Sequence, residues 1–256
     1  MAGFTRNKST ETNFIIGLHP IEEAIDAGKS IERILIRKAL RGDHFKDVFE
    51  KIRSNDIAFQ FVPPQKLDSI SRKNHQGVIA LMSPVEFQNL DNLLAQVFEK
   101  GEVPLIVVLD EINDVRNFGA IVRSAECLGA HAVVIPHKGA ARINESAVKA
   151  SAGALLRMNI CQEGNLANVV STLQSSGLKV VGVTEKGASD LWDVDLTVPI
   201  CLVMGSEEEG ISEKILALTD QNAKIPMTGR IESLNVSVAA GILLTEVGRQ
   251  RRPTNL

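Results

Sequence analysis

Three short polar stretches carry side chains that regular packing does not account for. One is Thr228-Gly229-Arg230-Ile231-Glu232-Ser233-Leu234-Asn235, a loop between an apolar strand-like run ending at Ile225-Pro226-Met227 and a long apolar helix. Ser233 and Asn235 stand just before that helix. There, short polar side chains either cap the unpaired N–H groups of the helix start or point into a neighbouring cavity. A second stretch, Met204-Gly205-Ser206-Glu207-Glu208-Glu209-Gly210, combines glycines that permit close backbone approach with three carboxylates. These face a bound group, or form a solvated acidic turn suited to the N-terminus of the following helix. In the third, Asn117-Phe118-Gly119-Ala120-Ile121-Val122-Arg123-Ser124-Ala125, a helix has its apolar face at Phe118, Ile121, Val122, Ala125 and Leu128. At 100° per residue Arg123 lies well off that stripe, so packing does not explain it. Amide, carboxylate and guanidinium groups of this kind align a ligand by hydrogen bonds and hold an anion.

The elements that must position these stretches form an α/β pattern. Leu105-Ile106-Val107-Val108-Leu109 is a continuous apolar run, as in a strand buried on both faces of a parallel sheet. Similar strands are expected at Ala132 to Ile135, Val180 to Val183 and Ile200 to Met204, with helices near Ala167 to Ser176, Ser212 to Leu218 and Val236 to Arg249. The last helix carries Val236, Ala239, Ala240, Leu243 and Val247 on one stripe, widened by Val238, Ile242 and Leu244, and reads as buried nearly all round. In an open α/β sheet ligands sit beyond the carboxyl ends of the strands, where the odd residues collect. No G-x-G-x-x-G follows a strand and no G-x-x-x-x-G-K-[ST] occurs, so dinucleotide and P-loop sites are excluded.

The chain has 256 residues, more than the ~100–200 of one typical domain. Alternating short strands and helices predict a small α/β domain over 13–84, after a disordered tail at 1–12. A linker with one amphipathic helix follows at 85–103, and the larger domain spans 104–256. The small domain carries Arg33, Arg37, Lys38, Arg41, Lys66, Arg72, Lys73 and His75, a solvated face that also suits phosphates. A net charge of -3 argues against coating nucleic acid non-specifically. Cys127, Cys161 and Cys201 stand singly, which indicates neither a disulfide framework nor a zinc site; they read as reduced core thiols of a cytoplasmic protein, and no metal is expected. No apolar run reaches the ~18 residues of a membrane span.

Taken in order, the three stretches resemble the three motifs of the SpoU-type RNA ribose methyltransferases of the SPOUT superfamily and TrmH family. Asn117 precedes Arg123 by six residues and Glu207 precedes Asn235 by twenty-eight, and the resemblance runs over roughly residues 13 to 252. It implies a ribosomal-protein-like substrate-binding domain, followed by an open parallel-sheet domain tied in a trefoil knot, which elementary connection rules would not suggest. It also implies a homodimer, S-adenosylmethionine as methyl donor, and RNA as substrate. The two-domain form is most similar to enzymes acting on a guanosine 2'-hydroxyl in 23S ribosomal RNA. By position Thr184, Gly205, Ile225 and Leu234 match the cofactor-contacting positions. Asn117, Arg123, Glu207, Ser233 and Asn235 match the catalytic or substrate-orienting positions. A transfer-RNA 2'-O-methyltransferase and a non-catalytic RNA-binding dimer of the same fold are the alternatives.

Overall fold

The structure, a computed structural model of the chain, describes residues 14–55, 57–231 and 233–252; the tail at 1–12 and Glu232 of the last motif lie outside the described residues. The chain divides after Ser83 into two compact units.

The first unit runs β1 (Phe14–Ile16), α1 (Leu18–Asp26), β2 (Ile31–Arg37), α2 (Asp43–Ser54), β3 (Phe59–Val62), α3 (Pro64–Ile70) and β4 (Val78–Met82). Its sheet order is β1-β4-β2-β3, with β2 and β3 parallel and the other pairs antiparallel. Alternation along β2 sends Ile34 and Ile36 against Ile21, Ile25, Val48 and Ile52 of α1 and α2. The same alternation sends Leu35 against Leu67 of α3, with Val62 and Ile79. Both faces are therefore covered, and β2 carries apolar residues on each. At one end of this sheet Gly17 N donates to Val78 O and Arg37 N to Gly77 O. The exposed Arg37, Lys38, Arg41, Arg72 and Lys73 flank that end.

The second unit begins with α4 (Leu90–Glu99), then β5 (Leu105–Leu109), α5 (Val115–Cys127), β6 (Ala132–Pro136), α6 (Glu145–Ala150), β7 (Ile160–Glu163), α7 (Leu166–Ser175), β8 (Lys179–Val183), β9 (Ser189–Asp190), β10 (Ile200–Met204), α8 (Glu213–Leu216), β11 (Gln221–Lys224) and α9 (Val236–Gln250). All seven strands pair in parallel, in the order β7-β6-β5-β10-β8-β11-β9. The expected open parallel sheet is thus present. Helices α5, α6 and α9 build the core on one face, and α4, α7 and α8 build it on the other. The stretch expected to link two domains instead supplies α4, whose Leu90, Leu93, Leu94 and Val97 pack with Ile106, Val108 and Val134 in the second core. Asn89 starts this helix by accepting from Asn92 N at 2.9 Å.

Two details correct the sequence reading. Cys161 and Cys201 are buried, and burial pushes the Cys161 thiol up to about 12 and Cys201 in the same direction. Cys127, expected beside them in the core, is exposed at the last turn of α5. Likewise α9 is not covered all round. Val236, Ala240, Leu243, Leu244 and Val247 are buried, but Val238 is 50% exposed beside Trp192, also 50% exposed.

Just past α9, Arg251 closes the unit. Its guanidinium donates to the carbonyls of Leu196 (3.0 Å), Val103 (2.8 Å), Pro104 (3.0 Å) and Val198 (2.7 Å), joining the chain before β5 to the chain before β10. Burial pulls its pKa down, a direction opposed by these four acceptors. Arg251→Ala is expected to destabilise the second unit by about 2–4 kcal/mol, because carbonyls lose their donors together with a packed stem. Urea unfolding of the full chain measures this, and a loss below ~0.5 kcal/mol would show that water replaces the guanidinium freely.

Candidate active site

Four strand ends, those of β5, β8, β10 and β11, converge on the site. At the end of β5, Asp110 is buried; its N–H donates to Met204 O and its Oδ2 accepts Ser212 N at 2.8 Å, so the exits of β5 and β10 are tied together. Asp114 then caps α5, accepting from Arg116 N and Asn117 N at 2.8 Å each. The helix starts three residues earlier than its apolar stripe suggests, which puts Asn117 inside the first turn. Gly119, two residues further, meets α6: a Cβ there would lie 2.5 Å from Ala150 Cβ.

After β10 the acidic stretch folds back on itself. Ser206 and Gly210 exchange both backbone hydrogen bonds, at 3.1 and 3.0 Å. A Cβ on Gly205 would come within 1.9 Å of the Gly210 carbonyl carbon, so glycine is required there by the loop's own backbone. The result aims Glu207 at two helix starts. Its Oε1 accepts from Asn117 Nδ2 at 2.8 Å, from Asn235 Nδ2 through a short hydrogen bond, and from Val236 N at 3.3 Å. Asn235 Nδ2 also donates to Asn117 Oδ1 at 3.0 Å. Asn235 Oδ1 caps α9, accepting from Ser237 N, Ser237 Oγ and Val238 N at 3.0, 2.5 and 3.4 Å. A carboxylate beside helix N-termini is favoured by their dipoles.

Counting valences separates the two amides. Both N–H groups of Asn235 are used and its oxygen has three donors, so it is a structural joint as well as a site residue. Asn117 keeps one N–H and one lone pair open, and Glu207 Oε2 takes no donor among the described residues.

Beside this node lies an open crevice of about 630 Å³, counted to its mouth. All four positions matched to cofactor contact line it: Thr184 after β8, Gly205 after β10, Ile225 after β11 and Leu234 before α9. Glu207 and the exposed Ser233 line it too, with Glu185 at its rim. A second crevice shares Ser206, Glu207 and Val236 with the first and extends to Asn117, Asp114 and Glu111. Glu207, the acceptor at the centre of the polar node, thus stands between the crevices with Ser206 and Val236. Arg123 is not brought to it. Six residues beyond Asn117 on α5, it is exposed and takes no hydrogen bond or ion pair among the described residues.

Asp114, Ser237 and Glu185 were missed from sequence. The first was detectable: an Asp three residues ahead of Asn117 is an N-cap signal. For Ser237 and Glu185 there was no comparable pattern.

A parallel sheet with a crevice beyond its strand ends is a domain built to bind a small ligand. Residues 104–245 match the model of the SpoU rRNA methylase family, and residues 14–88 match that for RNA 2'-O ribose methyltransferase substrate binding. A Bacillus subtilis protein assigned to the TrmH family of tRNA/rRNA methyltransferases is 34% identical over 245 residues, covering 96% of this chain and 98% of that one. Among solved structures, the SpoU methyltransferase AviRb from Streptomyces viridochromogenes, in complex with AdoMet, is 27% identical with a TM-score of 0.60, covering 97% of this chain and 94% of that one. The TrmH/SpoU tRNA modifying enzyme of A. aeolicus is 33% identical with a TM-score of 0.54, covering 63% of this chain and 84% of that one. The chain belongs to the SpoU rRNA methylase family.

The valence count makes a prediction about stability. Asn235→Ala removes a helix cap and leaves Glu207 short of a donor, and is expected to cost about 1–3 kcal/mol. Asn117→Ala should cost less than about 1 kcal/mol, because Asp114 keeps the cap of α5. Equal losses in urea unfolding would contradict this division of roles.

Proposed function

We propose that this chain transfers a methyl group from S-adenosylmethionine to a ribose 2'-hydroxyl of RNA, with a guanosine of large-subunit ribosomal RNA as the target. The observation that carries the reading is Glu207, hydrogen-bonded to Asn117 and Asn235 and shared by two crevices, one of them lined by Thr184, Gly205, Ile225 and Leu234 and the other by Asn117.

The first crevice suits the donor on two counts. The backbone N–H and C=O groups of 227–231 and of Ser233 and Leu234 have no partner among the described residues, so they are available to an adenine edge. The carboxylates of Glu185 and Glu207 border a space that would hold a sulfonium cation. S-adenosylmethionine supplies an electrophilic methyl group; this chain's residues have to align the hydroxyl and manage its proton. Asn117, with one N–H and one lone pair open toward the second crevice, orients the ribose hydroxyl. Glu207, with one oxygen held by three N–H donors, is a positioning residue that keeps both amides in place. Arg123 stays charged, so it is not the base. Its exposed guanidinium, without a partner among the described residues, holds an RNA phosphate, and that phosphate takes the hydroxyl proton. Ser233, at the mouth of the first crevice, borders the reacting groups.

The first unit serves as the RNA module, through the basic residues that flank one end of its sheet. Support for a ribosomal target over transfer RNA is that the A. aeolicus tRNA modifying enzyme matches only 63% of this chain, too little to contain both units in full. A second copy covers the apolar patch of Trp192, Val238, Ile242 and Leu128 on α9 and its surroundings, giving a homodimer. Among the described residues no helix is long and apolar enough to cross a membrane, which fits work in the cytosol.

Alkaline hydrolysis tests the chemistry, because cleavage requires a free 2'-hydroxyl. RNA treated with the protein and S-adenosylmethionine should contain one alkali-resistant linkage, and Arg123→Ala should lower its rate of formation at least ~10²-fold while S-adenosylmethionine binding persists. A base-methylated product with every linkage alkali-labile would overturn the ribose assignment. The dimer is tested by sedimentation: Val238→Asp combined with Trp192→Ala should convert a dimer into a monomer, and a wild-type protein already monomeric at micromolar concentration would remove the proposal.

A further inference from the structure

The first unit contains a second constellation of chemical groups, unrelated to methyl transfer. His19 and Glu22 are three residues apart in the first turns of α1, so both project from one face. The start of α2 brings His44 against them. The His19 and His44 rings lie 4.0 Å apart between centroids at 35°, and His44 Nε2 is 2.9 Å from Glu22 Oε2. One donor atom from each of the three residues lies within 4.8 Å of the others.

The surroundings prepare the carboxylate. Glu22 Oε1 is 2.9 Å from Lys51 Nζ, and Lys51 is itself held by Asp26 Oδ2 at 2.7 Å. The Glu22 carboxylate is thus held from both sides, by Lys51 at one oxygen and His44 at the other. Lys51 thereby fixes the direction of Glu22, as outer partners of metal ligands do, and leaves Oε2 facing the imidazoles. With neutral imidazoles the charges of Glu22, Asp26 and Lys51 sum to -1, so a divalent cation is attracted.

We propose that His19, Glu22 and His44 form a binding site for a divalent transition-metal ion of the zinc class. Two imidazole nitrogens and one carboxylate oxygen suit zinc, whereas magnesium and calcium take all-oxygen sets. The ion replaces the proton shared by His44 Nε2 and Glu22 Oε2, and a water completes four-fold coordination. It links α1 to α2, two helices otherwise joined through Ile21, Ile25, Val48 and Ile52. Cysteine spacing gave no hint of it because no cysteine takes part.

The test uses the full chain, freed of metal by chelation and titrated with zinc chloride by calorimetry. Cobalt chloride, followed by absorbance, reports coordination number. Wild type and Cys127→Ser are expected to bind one equivalent. His19→Ala, His44→Ala and Glu22→Gln are expected to bind at least ~10-fold more weakly. Zinc should raise the melting temperature of wild type and not of His19→Ala, whose exposed side chain is dispensable for folding; melting without metal verifies that His44→Ala is folded. No saturable binding to wild type would overturn the proposal. So would binding that is unchanged in His19→Ala and His44→Ala, or binding abolished in Cys127→Ser, each of which places the ion elsewhere.

Discussion

One carboxylate oxygen holds the second unit's functional end together. Glu207 Oε1 receives hydrogen bonds from Asn117, Asn235 and Val236, residues 90, 28 and 29 positions away in the chain. Without it, the starts of the two helices would be joined at that point by the single hydrogen bond from Asn235 Nδ2 to Asn117 Oδ1. The donors are the amide of a residue in the first turn of α5 and the capping residue and first N–H of α9. A small rotation of either helix therefore moves the node, and the node in turn sets the wall that two crevices share. The constraint reaches back into the sheet. Glu207 is aimed by a loop whose closure requires glycine at 205, and that loop is anchored to β10, a fully buried strand between β5 and β8.

This arrangement joins a rigid scaffold to an open crevice. Asp110 and Arg251 fasten the strands at opposite ends of the sheet, one through Ser212 and Met204, the other through four carbonyls. The segment between β11 and α9 is built differently. The backbone groups of 227–231, Ser233 and Leu234 have no partner among the described residues, and Asn235 then caps the helix. Such a division suits a site that must accept a cofactor between preset polar groups, because hydrogen bonds formed before binding need no ordering cost during it. Arg123 belongs to neither part. Its isolation on the exposed face of α5 fits a role toward a large polyanion better than a role inside the pocket.

Much of this was legible in the sequence, for identifiable reasons. Continuous apolar runs gave β5, β6, β8 and β10 because strands buried on both faces have no polar alternation. The edge strands β7 and β9 escaped: Ile160-Cys161-Gln162-Glu163 offers two apolar residues, and Ser189-Asp190 none. The amphipathic helix near Leu93 was visible, but its membership of the second core was not, since periodicity reports a buried face and not what buries it. At the site, residue types marked Asn235 and the acidic run at 207–209, whereas Asn117 and the choice of Glu207 came from the family resemblance; the choice between capping and facing a cavity proved to be no choice, since Asn235 caps α9 through its oxygen and joins the node through its nitrogen. The glycine at 205 was read as allowing a ligand to approach. What approaches it in the structure is Gly210. Pairings over about a hundred residues leave no periodic trace, so the node itself could be reached only through the resemblance to a family or through the fold.

The central claim is that Asn117 and Glu207 act on the reaction as one hydrogen-bonded unit. A double-mutant cycle measures this most directly, with single-turnover methyl transfer to RNA compared among wild type, Glu207→Gln, Asn117→Ala and the double variant. If the node is one unit, the double variant should be scarcely slower than the worse single variant, leaving a coupling of more than about 1 kcal/mol. Losses that simply multiply, with no coupling, would contradict the account and reduce the Glu207 contact to a structural coincidence.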